Sequence, residues 1–302
     1  MRHPPAGAVL ALSLVGISFA GPLVRLSTSD PLVIAVWRLL FSLVIVAVAL
    51  ALTSEWKEWR RLTRADLMLA AASGIALAIH FWAWNASIHL TTIAASVTLV
   101  SLQPVFVVAI SAIFLSEAPT RRQLAGITIA IAGAMIIAAP GWRESGEAFH
   151  RGAMLGNLLA TSAAVLAAIY YSIGRHLRKR FGLWAYVGLV YFACTLTLVV
   201  FAATTRVSLV PSGSGEVAIF LALAIGPMLF GHTGMNWALK FLPAYVVNLV
   251  VLGEPVGATI LGAIIPGIRQ VPSVATIVGG AVILAGVALA AWSTVSTRRA
   301  AS

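Results

Sequence analysis

The sequence predicts an all-α membrane protein of ten transmembrane helices, arranged as two inverted five-helix repeats around a central cavity. Three observations lead to this prediction. Of the 302 residues, 60% are hydrophobic and only 10% are charged. The hydrophobic residues form runs of about twenty, the length of a helix that crosses a bilayer. A long segment of the first half also recurs in the second half.

The composition excludes an ordinary soluble domain, in which roughly 25% of the residues are charged. A soluble fold does not have enough interior to cover this much apolar surface. In lipid, only helices and closed barrels satisfy every backbone hydrogen bond. Barrel strands would alternate polar and apolar residues, and this chain instead has continuous apolar runs. Helices are therefore the predicted spanning elements.

Ten hydrophobic spans are predicted, separated by polar or Pro/Gly-rich clusters such as residues 53–64, 140–150 and 211–215. They cover residues 6–25, 32–52, 67–87, 93–115, 123–139, 152–174, 184–204, 217–239, 244–265 and 273–293. A cleavable signal peptide is an alternative interpretation of the first span, since Arg2 precedes an apolar stretch that ends in small residues. Its removal would leave nine spans and break the five-plus-five arrangement.

The distribution of positive charge predicts the orientation. With both termini placed in the cytoplasm, fourteen Lys and Arg residues lie in cytoplasmic segments and five lie in segments on the other side. This asymmetry follows the positive-inside rule. The net charge of +11 therefore sets orientation, and nucleic acid is not an expected partner. An integral protein of the bacterial inner membrane is predicted.

The repeat relates two segments by an offset of 151 residues, half the chain. NASIHLTTIAASVTLVSLQPVFV (85–107) corresponds to NWALKFLPAYVVNLVVLGEPVGA (236–258), which aligns Asn85 with Asn236 and Pro104 with Pro255. We expect residues 1–140 to form the first repeat and residues 151–302 the second. Because each repeat has an odd number of spans, five, the second repeat starts on the opposite side of the membrane and is inverted relative to the first. Many secondary carriers have this arrangement, with a substrate site near the midplane.

The same spans resemble a known family. SLQPVFVVAISAIFLSEAPTRRQLAGITIAIAGAMII and its second copy, VLGEPVGATILGAII followed by PSVATIVGGAVILAGVAL, are similar to the hallmark segment of EamA-type proteins in the drug/metabolite transporter superfamily. The second copy departs from the pattern at GIRQVPS, where the family usually has a Gly-Glu pair. The resemblance implies ten helices, a central cavity and export of small metabolites. Within the family, the chain is most similar to bacterial exporters of amino acids, including aromatic ones.

Polar and aromatic residues inside the spans are the candidate substrate-binding residues, because such groups are costly in lipid and usually face a cavity or a partner. The repeat pairs Gln103 with Glu254, as it pairs the two asparagines. Aromatic rings could stack on an apolar or aromatic substrate. The predicted substrate-binding residues are His80, Trp84, Asn85, Gln103, Tyr171, Asn236, Tyr245 and Glu254.

Each of these assignments has a structural alternative. Asn85, Asn236 and Gln103 are also the residue types that hold neighbouring membrane helices together, and His80 could serve helix packing. Glu254 is the one acid predicted inside a span, where a protonatable group would suit a proton-coupled carrier. It could instead be hydrated near a membrane face, pair with Arg38, or form a hydrogen bond with a backbone group freed by the following proline.

Pro104 and Pro255 are predicted hinges. Proline cannot donate to the helix ladder, so each frees a carbonyl one turn earlier and kinks its helix. Matched kinks in the two repeats would let the helices bend between two states. A static kink that only serves packing is the alternative.

We expect a secondary carrier for small organic metabolites, with hydrophobic or aromatic amino acids as substrates. Its expected partners are the small-molecule substrate and the lipid bilayer, and the chain is expected to work as a monomer. A membrane-embedded enzyme or a scramblase acting on lipid-like substrates is the alternative, although no cluster of acid–base residues supports an enzyme. Neither a metal nor another cofactor is expected, because Cys194 is the only cysteine and no phosphate-binding G-x-x-x-x-G-K-[ST] loop is present.

Overall fold

A computed structural model describes residues 4–91, 93–116, 119–143, 147–268 and 274–300. In these ranges the regular structure is helical and no strand occurs. The helices of the first half are α1 (Ala6–Ser18), α2 (Ala20–Leu26), α3 (Pro31–Thr53), a 3-10 helix (Glu55–Arg61), α4 (Arg64–Leu90), α5 (Ile93–Val100), α6 (Gln103–Phe114) and α7 (Arg121–Arg143).

In the described part of the second half there are three long regular helices and two interrupted spans. Its elements are α8 (Glu147–Arg178), α9 (Leu183–Thr205), α10 (Glu216–Leu223), a π-helix (Ala224–Thr233), α11 (Gly234–Ala238), α12 (Ala244–Asn248), a 3-10 helix (Leu249–Gly253), α13 (Glu254–Ile264) and α14 (Val274–Ala300).

Eight helical segments within the described ranges are long and apolar enough to cross a bilayer. They are Ala6–Leu26, Pro31–Thr53, Arg64–Leu90, Ala95–Phe114, Gly152–Arg178, Leu183–Thr205, Glu216–Ala238 and Ala244–Ile264. The all-helical membrane architecture is thus confirmed. The predicted fifth span falls in α7 and the tenth in α14, whose apolar stretch Ile277–Ala290 is shorter. Ten crossings therefore stay a prediction.

Side chains define where several helices begin. Asp30 precedes α3 and accepts a hydrogen bond from the backbone N–H of Leu32 at 2.7 Å, while Pro31 starts the helix where no N–H is needed. Thr63 and Asp66 form a reciprocal capping box at the start of α4. Both caps lie at polar breaks in the sequence, which explains why composition alone located these ends.

Glycines allow α7 and α14 to pack closely along their length. A Cβ added to Gly126 would lie 2.6 Å from the carbonyl oxygen of Gly286, and one added to Gly133 would lie 2.6 Å from that of Gly279. Both pairs of glycines are spaced seven residues apart along their helices, so they repeat on one face. Small residues of this kind bring membrane helices into backbone contact.

The remaining helices form a bundle with an extensive apolar interior. α4 packs against both α8 and α9, α3 packs against α9, and α1 packs against the π-helix and α13. A Cβ on Gly16 would lie 2.7 Å from the carbonyl oxygen of Gly226, so α1 and the π-helix touch through their backbones. Many large apolar side chains, such as Val44 and Leu52, point outward, as expected for a lipid-facing surface.

The departure from the family pattern at GIRQVPS falls mainly on residues 269–273, which lie outside the described ranges. Residues 144–146 of the predicted loop between the repeats also lie outside them.

Candidate functional site

Four interruptions of the spanning helices meet around one cavity. The first span breaks at Phe19, between α1 and α2, and the fourth breaks at residues 101–102, between α5 and α6. The other two interruptions are the π-helix Ala224–Thr233 and the 3-10 helix Leu249–Gly253. Non-helical backbone at membrane depth is tolerated where it is buried in protein or lines a cavity. The interruptions therefore mark the centre of the bundle as the candidate site.

The cavity has a volume of about 30 Å³. Its polar and amphipathic lining consists of Arg38, His80, Trp84, Gln103, Tyr171, His232 and Glu254. Its apolar lining consists of Ile17, Ala20, Phe81, Val100, Pro227, Met235 and Val251. This volume has room for one or two water molecules. An organic ligand, whose pockets usually measure hundreds of Å³, would fit only if the surrounding helices moved apart.

The lining combines both halves of the chain. His80 and Trp84 lie one helical turn apart on α4, and Gln103 begins α6. Tyr171 comes from α8 and Glu254 begins α13. These are five of the eight predicted substrate-binding residues, and the structure brings them together around one space.

An aromatic cluster forms one wall of the cavity. Tyr171 shares a hydrogen bond of 3.0 Å with Nδ1 of His232, and the two rings stack with their planes 4° apart. Phe81 meets the edge of the His232 ring at a centroid distance of 5.2 Å. Nδ1 of His80 lies 2.8 Å from the carbonyl oxygen of Ala163. Because a carbonyl only accepts, this Nδ1 carries a hydrogen and Nε2 is left as an acceptor.

Two residues of opposite charge line the cavity without a hydrogen bond between them. Arg38 is fully buried in α3, and its guanidinium carbon lies 4.1 Å from the centroid of the Phe81 ring. None of its three side-chain nitrogens has a hydrogen-bond partner. Glu254 is 7% exposed at the start of α13. The alternative in which Arg38 and Glu254 form a direct hydrogen-bonded pair is therefore not seen.

Gln103 connects the two halves beside the cavity. Its side-chain N–H donates to Oδ1 of Asn248, whose own N–H donates to the carbonyl of Ala244 at 2.9 Å. This chain of hydrogen bonds joins the start of α6 to α12. Gln103 is therefore placed both to line the cavity and to couple the movement of two interrupted spans.

Three predicted residues are not among those that line the cavity. Asn85 donates to the carbonyl oxygen of Pro31 at 3.1 Å and so links α4 to the start of α3. Asn236 donates to the hydroxyl of Tyr170 and to the carbonyl of His232. Tyr245 is packed within the main hydrophobic cluster. The two asparagine contacts fit the alternative in which these residues hold helices together, because their amides face neighbouring helices.

Arg38 and His232 are cavity residues that the sequence-based list of binding residues omits. A signal for Arg38 was present, because it is the only basic residue predicted inside a span and a charge in the membrane is a functional candidate by default. His232 lies four residues before Asn236, but only the π-helix turns its ring into the cavity. Among the described residues, no three His, Cys, Asp or Glu side chains come together as metal ligands.

Hydrogen-bonded contacts of glutamate side chains join neighbouring helices at both ends of the bundle. At the end containing the α2–α3 connection, Glu216 accepts from the hydroxyl of Ser27, the backbone N–H of Thr28 at 2.8 Å and the hydroxyl of Ser29 at 2.9 Å. At the opposite end, Glu55 and Glu58 accept from backbone N–H groups at the start of α9, including that of Gly182 at 2.7 Å. Carboxylates are favourable at a helix N-terminus, so the Glu55 and Glu58 contacts stabilise the start of α9.

Comparison with known proteins assigns this architecture to a family. The profile of the EamA-like transporter family matches residues 6–139 and 154–292. A protein of Streptantibioticus cattleyicolor named "Probable terminal-alkyne amino-acid exporter" is 28% identical over 281 residues, covering 86% of this chain and 85% of that protein. A protein of Archaeoglobus fulgidus named "Uncharacterized transporter" is 25% identical over 283 residues, covering 92% and 96%.

A solved structure shares the fold. It superposes with a TM-score of 0.73 at 18% sequence identity, covering 94% of this chain and 96% of the other.

Proposed function

Because the chain belongs to the EamA-like transporter family, we propose that it is a secondary transporter that exports amino acids with hydrophobic or aromatic side chains by alternating access. The observation that carries this proposal is the central cavity, where four helix interruptions meet and both halves of the chain contribute side chains. A mostly apolar wall with a few polar anchors suits a small molecule that has an apolar body and a charged end.

The inverted repeat forms part of the proposal, and the pattern of helix packing supports it. The repeat relates α4 to the span that contains the π-helix, and α8 to α1. α4 packs on α8, and the π-helix packs on α1 in the same way. α5 and α6 pack on α8, and the counterpart α13 packs on α1. α3 with α9, and α7 with α14, are counterparts that pack on each other. Exchange of the halves preserves these pairs, as a two-fold axis in the membrane plane requires.

The membrane and the orientation are also proposed. The excess of Lys and Arg in one set of connections supports cytoplasmic termini in the bacterial inner membrane. With that orientation, the Glu216 contacts close the outer end of the cavity and the Glu55 contacts close the cytoplasmic end. Export requires that these two closures open alternately, so that the site is never connected to both sides.

The amino-acid assignment has two supports. One is the relative from Streptantibioticus cattleyicolor, which is named "Probable terminal-alkyne amino-acid exporter". The other is the lining, which combines Arg38 and Glu254 with aromatic rings. A multiply charged phosphate would be poorly matched, since Arg38 is the only Arg or Lys among the described lining residues.

A scramblase acting on lipid-like substrates is the second candidate, favoured by one observation. An apolar groove of about 600 Å³ lies between α4, α6 and α8. Its wall includes Phe106, Ile110, Val165 and Ile169, with Ser172 and His176 as its polar groups. An acyl chain would fit such a wall. Among the described residues that line the groove there is no Arg or Lys to hold a phosphate headgroup, which is why the transporter of small metabolites is preferred.

A reconstitution experiment separates the two functions. Purified protein is reconstituted into liposomes that are loaded with unlabelled phenylalanine, leucine, uridine or glucose. Uptake of the labelled form of the same compound is then followed. Counterflow of the amino acids without that of uridine or glucose is expected. A fluorescent phospholipid in the same liposomes reports scrambling. Scrambling without amino-acid counterflow would replace the proposal with the second candidate.

A further inference from the structure

The cavity contains two buried donors that the protein leaves without an acceptor. The three side-chain nitrogens of Arg38 have no hydrogen-bond partner, and Nε1 of Trp84 has none. Arg38 is fully buried and Trp84 is 4% exposed, and both line the cavity. Buried polar groups in proteins are nearly always hydrogen-bonded, so each such exception calls for an explanation.

The chemistry of these two side chains restricts what can satisfy them. A guanidinium has five N–H donors and no acceptor, and it stays protonated in proteins. An indole has one N–H donor and no acceptor. Two donor-only groups that face one space are satisfied by a ligand that presents an acceptor to both of them. The positive charge of Arg38 favours an anionic acceptor, because a buried charge without a hydrogen-bonded partner is strongly unfavourable.

The neighbouring polar groups of the lining do not supply that acceptor. Nδ1 of His80 is engaged with the carbonyl of Ala163, and Nδ1 of His232 with the hydroxyl of Tyr171. The acceptor Nε2 of His80 makes no hydrogen bond with Arg38 or Trp84. Gln103 donates to Asn248. Glu254 is the one acid of the lining, and no hydrogen bond joins it to Arg38. The guanidinium carbon of Arg38 lies over the Phe81 ring, which has no conventional acceptor atom.

We propose that Arg38 and Trp84 form a carboxylate-binding subsite in which the guanidinium holds the substrate carboxylate and the indole N–H donates to it. A planar guanidinium matches a carboxylate through two parallel hydrogen bonds. Glu254 lines the same cavity with the opposite charge, so a zwitterion satisfies both charged residues at once. The inference rests on the proposed function, since it places one end of the proposed amino-acid substrate.

The test compares phenylalanine with one analogue that lacks the charged carboxylate and one that lacks the amino group. Phenylalanine, 3-phenylpropanoate and phenylalanine amide are titrated by calorimetry against the full-length protein in detergent. The wild type is expected to bind phenylalanine at least ~10-fold more tightly than the amide, because the amide removes the charge that pairs with Arg38. In Arg38→Gln this ratio is expected to fall close to one, through loss of affinity for the acid.

Trp84→Phe keeps an aromatic ring and removes the indole N–H together with part of the ring volume. It is expected to reduce the ratio several-fold, and it keeps the test decisive if Arg38→Gln does not fold. Arg206→Gln is the matched control, because Arg206 is exposed beyond the end of α9 and is expected to leave the ratio unchanged. Size-exclusion elution and circular dichroism report whether each variant is folded.

The outcomes separate this inference from the proposed function. If phenylalanine shows counterflow in liposomes but the wild type binds acid and amide equally, the subsite is refuted and the function stands. The subsite is also refuted if Arg38→Gln keeps the full ratio. If 3-phenylpropanoate binds through Arg38 and no amino acid is transported, the subsite stands and the substrate assignment fails. Absence of both binding and transport overturns both.

Discussion

Pro104 and Pro255 occupy the same position in two different spans. Each is the second residue of a helix that begins directly after an interruption, at Gln103 in α6 and at Glu254 in α13. A proline in the first turn is tolerated because that N–H has no intrahelical partner. The two interrupted spans also touch each other, since α12 packs on α6 and α13 packs on α5. The prolines thus stand at paired breaks next to the cavity.

This relationship leads to the first prediction. Pro104→Ala and Pro255→Ala are each expected to slow counterflow more than they weaken substrate binding. Alanine restores an N–H and allows the helix to continue through the break, which hinders a conformational step and leaves the lining side chains in place. Counterflow rates in liposomes are compared with affinities from calorimetry. Unchanged rates in both variants would leave the prolines with a packing role alone.

The second prediction concerns the cavity wall. Gln103→Ala is expected to weaken amino-acid counterflow by roughly 10-fold, because it removes both a lining side chain and its hydrogen bond to Asn248 across the two halves. Trp84→Ala is expected to have at least as large an effect. The measurement is the initial counterflow rate, normalised to the amount of reconstituted protein.

Trp82 supplies the matched control for Trp84. It lies two residues away on the same helix, outside the cavity lining, and its ring meets the edge of Phe201 at 5.1 Å. Trp82→Ala removes the same volume from a different face of α4. If both alanine variants reduced counterflow equally, loss of packing would explain the effect and the cavity assignment would fail.

The third prediction concerns the contact between α7 and α14. Gly126→Ala is expected to destabilise the protein by about 1–3 kcal/mol, because the new Cβ would lie 2.6 Å from a backbone oxygen that cannot move aside freely. Gly280→Ala on α14 is the control, since its Cβ would meet Val256 at an ordinary 3.5 Å. The unfolding temperatures of both variants are measured in detergent. Equal unfolding temperatures for the two variants would contradict this close packing.

The fourth prediction concerns orientation. A cysteine at Lys57 in the exposed 3-10 helix is expected to be protected from an impermeant thiol reagent in intact cells, and a cysteine at Ser214 is expected to react. The native Cys194 is buried and serves as an internal background. Labelling is measured before and after permeabilisation. The reverse pattern would place the termini outside the cell.

Properties that depend on composition and local chemistry could be predicted from the sequence. Continuous apolar runs of about twenty residues are long enough to cross a bilayer as helices. The membrane environment and the eight candidate spans in the described ranges therefore follow from hydrophobicity. The breaks beside Pro104 and Pro255 follow from the missing proline N–H. The family could also be recognised from the sequence, because its motif lies in those same spans.

The composition of the cavity was decided by the tertiary structure. A sequence shows that Arg38, Asn85 and Asn236 are polar residues in apolar spans, but not which neighbour each one faces. The contact of Asn85 with Pro31 draws that amide away from the cavity, whereas the π-helix turns His232 toward it. The direction of a side chain depends on how each helix is rotated and crossed by its neighbours. Only the packed bundle could therefore show Arg38 and Trp84 together as donors without an acceptor.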